Sequence, residues 1–257
     1  MILLSFDIEE FDMPFEYQKE ISFDEQISIS TKGSIIILDL LAKHNIKATF
    51  FSTVVFALNA PEIIQRIKNE GHELASHTYY HSKFENKDLL ESKLKLQELS
   101  GLPIHGFRMP RMMPVSDLEI EKAGYTYNSS INPTLLPGRY NNLHISRTHY
   151  NLGNVCQLPA SVSPLRIPLF WLSFHNFPLA YYKYLVKRTY QKDGYLNVYF
   201  HPWEFIDLTD KKKFGFPAYV SKNSGQKMMI RMDNFMQWIN EQNYPNGTIY
   251  SFVKKLT

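Results

Sequence analysis

The feature that most constrains this chain is a rhythm: short apolar runs of β-like composition alternate with stretches of helical spacing, joined by brief turn signals. The run Ile2–Ile8 is followed by a helical pattern over 30–41 that ends near Asn45, and a second β-like run covers 47–53. Pro61–Asn69 reads as a helix with proline just inside its start and Gly71 after its end. A third strand is expected over 72–77, a helix over 87–99 closed by Gly101, a strand over 106–109, a helix over 116–123 ending at Gly124, and a strand over 127–131. Regularity returns with a helix over 179–189, a strand over 196–200, a helix over 228–240 and a last strand expected over 248–252. A strand followed by a helix and then another strand makes a parallel sheet with helices outside it. Repeated this often, the unit predicts an α/β fold: a distorted, closed or nearly closed (β/α) barrel of about seven parallel strands.

A chain of 257 residues fits one such barrel, so a single domain over 1–257 is expected. The stretch 133–178 interrupts the rhythm. It is rich in proline, asparagine and aromatics, too long for a plain loop, and is expected to hold short strands and an insertion over one barrel face. The net charge of +3 gives no reason to expect nucleic acid or an anionic membrane as partner. Cys156 is the only cysteine, which excludes an intrachain disulfide and a cysteine-built zinc knot. The first residues turn acidic at once, without the apolar stretch of a secretion signal, and no run approaches the ~18 apolar residues of a membrane span. A cytoplasmic protein is the expectation from these observations; the oligomeric state is not legible in the sequence.

Four polar signals stand at the C-terminal ends of predicted strands, where α/β barrels place their sites. The first is Ser5-Phe-Asp7-Ile-Glu9. Side chains alternate along a strand, so Asp7 and Glu9 share a face, and two like charges there repel unless a cation or chemistry uses them. Taken alone, a solvated acidic turn running on through Glu10 and Asp12 explains it as well. The second runs from Gly71 to His81 and holds His77 and His81, four apart, which share one face if the segment turns helical. The third is Gly106-Phe-Arg108-Met-Pro110-Arg111, and the fourth runs from Leu196 to His201-Pro-Trp-Glu204. Each has a dull reading by itself: a surface cation, a satisfied core histidine. Their common location is what points to a site.

The order SFDIE, SHTYYH, FRMPR, YNSSINP and YFHPWEF, spread from residue 5 to residue 204, resembles the polysaccharide deacetylase family, the chitin deacetylase-like carbohydrate esterases that share the NodB homology domain. The D-x-E form of the first motif and the terminal H-P-W-E are most similar to the branch associated with bacterial exopolysaccharide. The resemblance implies roles residue by residue. Asp7 matches the catalytic base, Glu9 the metal carboxylate, and His77 and His81 the two metal histidines. Arg108 matches the arginine that holds the base, His201 the general acid, and the backbone N–H of Arg111 an oxyanion donor. Ile8 and Glu9 depart from the commoner pair of adjacent aspartates. Asn128 stands where relatives often carry aspartate, which leaves the carboxylate orienting His201 unassigned, with Glu204 as a weak candidate.

The resemblance implies a metal-dependent hydrolase that removes N-acetyl groups from an N-acetylated carbohydrate. Two neutral imidazoles and a carboxylate suit zinc, and also accept cobalt, nickel or iron. Glu9 is expected as third ligand rather than Asp12, which lies further along, beyond the strand. Two other readings use the same residues: hydrolysis of the C–N bond of a small amide or ureide, and a barrel that binds glycan without catalysis.

Overall fold

The computed structural model describes residues 1–256. Ten strands are present: β1 Ile2–Ile8, β2 Thr49–Ser52, β3 Glu73–Ser76, β4 Gly106–Phe107, β5 Tyr127–Asn128, β6 Leu135–Leu136, β7 Tyr140–Asn141, β8 Tyr150–Leu152, β9 Val155–Gln157 and β10 Leu196–Phe200. Eight of them form one curled sheet in the order β10-β1-β2-β3-β4-β5-β9-β8. All its pairings are parallel except β8 with β9, so seven strands run parallel, as the alternation predicted. No ladder joins β9 to β10 among the described residues. The gap is bridged just after β9, where the Ser161 N–H donates to the Asn197 carbonyl at 2.7 Å and the Asn197 N–H donates to Ser161 Oγ at 2.8 Å.

Helices follow most strands: α1 Phe23–His44, α2 Val54–Asn59, α3 Pro61–Asn69, α4 Lys87–Ser100, α5 Asp117–Lys122, α6 Trp171–Asn176, α7 Leu179–Asp193, α8 Lys211–Phe214, α9 Ala218–Ser221, α10 Gln226–Glu241 and α11 Ile249–Val253. α1 begins a full two turns before the expected start. Ser22 caps it by accepting the Glu25 N–H, and Asn45 ends it in the left-handed conformation that a short polar side chain tolerates. Both faces of β1 are buried, as parallel sheets require. Ile2, Leu4, Phe6 and Ile8 pack toward the helices, whereas Leu3 joins Phe51, Ala75, Tyr127 and Leu158 in a separate interior layer.

That interior layer decides one correction. The run 248–252 has the β-branched and aromatic composition of a strand, yet it is helical. Thr248 accepts the Ser251 N–H as an N-cap, and Ile249 and Val253 close the bottom of the barrel against Leu3 and Phe51. Tertiary burial of two apolar residues outweighs local strand propensity here. The irregular stretch 133–178 contains the antiparallel hairpin β6–β7, the β8–β9 pair, an isolated bridge between Val162 and Pro168, and α6. Among the described residues no helix is long and apolar enough to cross a membrane.

Candidate active site

Ser5 and Asp7 project from β1 into the upper barrel, where a fully buried arginine meets them. Arg108 follows β4, with its N–H donating to the Ser76 carbonyl at 2.9 Å. Its Nη1 donates to Asp7 Oδ1 at 2.6 Å and to Ser5 Oγ at 3.0 Å; Nε and Nη2 reach the Ser129 carbonyl and Oγ, each at 3.0 Å. The guanidinium lies 4.0 Å from the Phe51 ring centre. Burying an ion pair is costly unless its remaining donors are satisfied, and this one is held by a ring of hydrogen bonds. The result is a carboxylate with one oxygen clamped and the other, Oδ2, facing the cleft side.

Glu9 lies just past β1, and its Oε2 is 3.0 Å from His77 Nε2 and 3.1 Å from His81 Nε2. The histidines do not share a helix face as their spacing suggested. Thr78 adopts a left-handed φ of 69°, and the loop is pinned because the Val54 and Val55 N–H groups, at the open start of α2, donate to the Thr78 and Tyr79 carbonyls. Glu10 helps from the other side, accepting the Thr53 hydroxyl and the His81 N–H.

The ring orientations determine what this cluster can hold. His77 Nδ1 sits 2.8 Å from the Arg108 carbonyl, an acceptor only, so Nδ1 carries a proton and Nε2 is the nitrogen that faces Glu9. His81 Nδ1 donates in the same way to Asp12 Oδ1 at 2.7 Å. Two Nε2 atoms and a carboxylate oxygen then converge, all within 4.8 Å of one another, and each ring can release its Nε2 proton to offer a lone pair to a cation. Glu9 Oε2 is buried without a hydrogen-bond partner, the kind of orphaned oxygen that a bound cation satisfies. Burial alone would raise the Glu9 carboxyl, but His81 and His77 overcome it and hold it down to about 2. Burial would lower His81, yet Glu9 and Asp12 outweigh it and raise it. The donor set therefore fits a divalent cation with open positions.

His201 follows β10, the strand paired with β1, with Nε2 3.9 Å from Asp7 Oδ2. Its Nδ1 donates to Glu204 Oε1 at 3.0 Å, and its own backbone N–H donates to the same oxygen at 2.6 Å. Glu204, which the sequence marked only weakly, is thus the carboxylate at the back of the ring. Asn128 is elsewhere, bonded to Gln157 and Ser130. Burial opposes the charge on His201, but Glu204, Glu9 and Asp7 together raise its pKa. Burial likewise opposes the Glu204 charge, and His175 and His201 together lower its pKa.

A cleft opens above these groups, lined by Asp7, Glu9, His77, His81 and His201. Its walls are aromatic: Trp171, Trp203, Tyr199 and Phe170, with Leu136 and Tyr140 contributed by the β6–β7 hairpin. The hairpin is tied down by Asn132, whose amide donates to the hydroxyls of Tyr140 and Tyr199. Arg111 also lines the cleft, in a left-handed conformation with φ 55°, and its side chain is anchored on Asp12 and Glu16. Asp7, Glu9, His77, His81, Arg108, Arg111 and His201 therefore come together at one barrel end. Sequence reading placed an aromatic-rich insertion at 133–178 over one barrel face but named none of the residues it supplies to the cleft, Trp171 and Tyr140 among them.

Residues 20–127 match the model of the polysaccharide deacetylase family. A 45-residue stretch is 53% identical to the peptidoglycan-N-acetylglucosamine deacetylase of Bacillus cereus; it covers 18% of this chain and spans 16% of that relative's length. Among solved structures, one described as a probable polysaccharide deacetylase from Pseudomonas aeruginosa PAO1 superposes with a TM-score of 0.66 at 15% identity, over 99% of this chain and 89% of that one. The Puue allantoinase superposes with a TM-score of 0.65 at 14% identity, over 98% and 88% of the two chains. These superpositions establish the shared fold, a curled barrel of mostly parallel strands.

Proposed function

We propose that this chain, a member of the polysaccharide deacetylase family, is a divalent-metal-dependent N-deacetylase acting on an N-acetylated sugar or polysaccharide. The observation that supports this reading most directly is the convergence of Glu9 Oε2 and the Nε2 atoms of His77 and His81 beside Asp7 and His201.

Glu9, His77 and His81 would hold the ion, with zinc the best match to two imidazoles and a carboxylate. A divalent ion bound there supplies Lewis acidity, polarising the acetamide carbonyl and acidifying a water. Asp7, with Oδ1 clamped by Arg108, offers Oδ2 as the base that takes the water's proton. His201, protonated and held from behind by Glu204, presents Nε2 to the cleft and would hand a proton to the departing sugar amine. The Arg111 N–H is proposed to share the developing oxyanion, an interaction worth roughly 2.7–4 kcal/mol per donor in comparable sites. The aromatic walls offer flat apolar faces on which sugar rings stack.

Acetate release from N-acetylglucosamine oligomers, measured after loading with zinc, cobalt or nickel, tests the reading against a panel of small amides and ureides. Release from the oligomers that disappears together with bound metal in His77→Ala supports it. A metal-free His77→Ala variant with full activity, or turnover of the small amides alone, overturns it.

A further inference from the structure

Behind His201 lies a second histidine that the mechanism above does not use. Glu204 is wholly buried, and its two oxygens are divided between two rings. Oε1 accepts from the His201 backbone and Nδ1, whereas Oε2 accepts from His175 Nε2 at 2.8 Å. His175 is itself 1% exposed and does not line the cleft, so it cannot touch a substrate.

We propose that His175 is a positioning residue for the acid, acting through Glu204; this rests on the reading of His201 as the proton donor. A carboxylate held at one oxygen can still rotate about its Cγ–Cδ bond. Held at both, it fixes the plane in which His201 Nδ1 must lie, and so where Nε2 points. Among the described residues His175 is the only hydrogen-bond partner of Oε2, so losing it leaves a buried carboxylate oxygen unpaired next to the acid.

The surroundings support a built device rather than an incidental contact. α6 carries His175 and, one turn earlier, Trp171, whose ring packs edge-on to both His201 (5.7 Å between centres) and Trp203 (5.2 Å). The same short helix thus braces the acid directly through Trp171 and indirectly through His175. It is pinned in turn by the segment after α8, since Asn223 donates to the His175 carbonyl at 2.6 Å and Asn176 donates to the Tyr219 carbonyl at 2.8 Å. The insertion therefore supplies part of the support for the acid as well as a wall of the cleft.

The test compares the metal-loaded wild type with His175→Leu and His175→Gln on two substrates. One is an N-acetylglucosamine oligomer, whose amine must be protonated to leave; the other is 4-nitrophenyl acetate, whose phenolate leaves without a proton. His175→Leu is expected to lose roughly 10- to 100-fold in kcat on the oligomer, with KM and metal content unchanged and less than about threefold lost on the ester. His175→Gln, which keeps a donor for Oε2, recovers most of the loss. Equal losses on both substrates, or no loss on the oligomer, overturn the proposal. Nitrogen NMR of the histidine rings separates its failure from failure of the deacetylase reading. If the wild type releases no acetate, the activity assigned above falls, while a His201 Nδ1–H signal that shifts in His175→Leu and returns in His175→Gln still sustains the positioning role, and an unmoved signal refutes it.

Discussion

Asp12 Oδ1 lies 2.7 Å from His81 Nδ1, on the side of the ring away from the nitrogen that faces Glu9. One imidazole thus separates the two acidic residues that compete, in the sequence, for the place of third ligand. Glu9 is on the inner side with the two Nε2 atoms, and Asp12 is on the outer side, where it fixes the tautomer and is itself held by Arg111.

Asp12→Asn should therefore weaken divalent-metal affinity by roughly 10- to 100-fold without abolishing it, the usual cost of losing an outer partner of a ligating histidine. Glu9→Gln should remove binding at micromolar metal. A titration against a chromophoric chelator measures both. Equal affinities in Asp12→Asn and wild type would show that the His81 ring is held by its loop alone.

Arg108 and Asp7 make the second testable pair. Removing one member leaves the other charge buried, so Arg108→Met should cost about 3–5 kcal/mol of stability as well as activity. Asp7→Asn in the same chain should return part of that stability and none of the activity. Denaturant unfolding of the two single variants and the double variant reads the coupling; additive losses would mean that the pair is not coupled.

His72 gives a pH prediction remote from the metal cluster. It is buried at the start of β3, with Nδ1 accepting the Ala48 N–H at 3.2 Å. Burial, aided by Lys47 and opposed by Glu70, lowers its pKa from 6.5 to about 4. The unfolded chain takes up this proton as pH falls through 6.5, and the folded chain does so only near 4. This contribution to stability is complete above pH 6.5 and is lost between 6.5 and 4, a change on the order of 3 kcal/mol. His72→Asn, which can still accept from Ala48, should flatten that limb when unfolding free energy is followed against pH. An unchanged slope would place the acid sensitivity in the carboxylates instead.

The legible parts of the fold are those where one periodic pattern governs each element. From β1 to α5 every apolar run found in the sequence became a strand, because parallel strands buried on both faces must be apolar throughout. The site residues at strand ends were legible for the same reason, since the end of an apolar run marks where a polar side chain becomes significant. What escaped depends on distant partners. The helix at 249–253 is set by the barrel floor it fills, and the loop at 77–81 by the free N–H groups of α2. The hydrogen bond from His201 to Glu204 spans three residues, but nothing local says that the turn folds back on the ring. α6 is six residues long and lies among prolines, below the length at which periodicity speaks.

The turn that carries His201 and Glu204 is also where a glycine is required. Gly33 sits inside α1, and a Cβ there would lie 2.0 Å from the Pro202 carbonyl oxygen. Replacing a helix-interior glycine by alanine normally gains about 1 kcal/mol. Here the obstructing atom is backbone, so α1 or the turn must move, and overpacking of that kind costs about 1–3 kcal/mol. The clash should win, making Gly33→Ala less stable than wild type. Its activity should fall further than its stability implies, because the displaced turn holds the proposed acid, whereas Glu9, His77 and His81 follow β1 and β3, outside that turn, and should keep their metal. Melting temperature, metal content and kcat measured on one preparation decide this. A stabilised, fully active Gly33→Ala would mean that the turn can slide along α1 without moving His201 relative to Asp7.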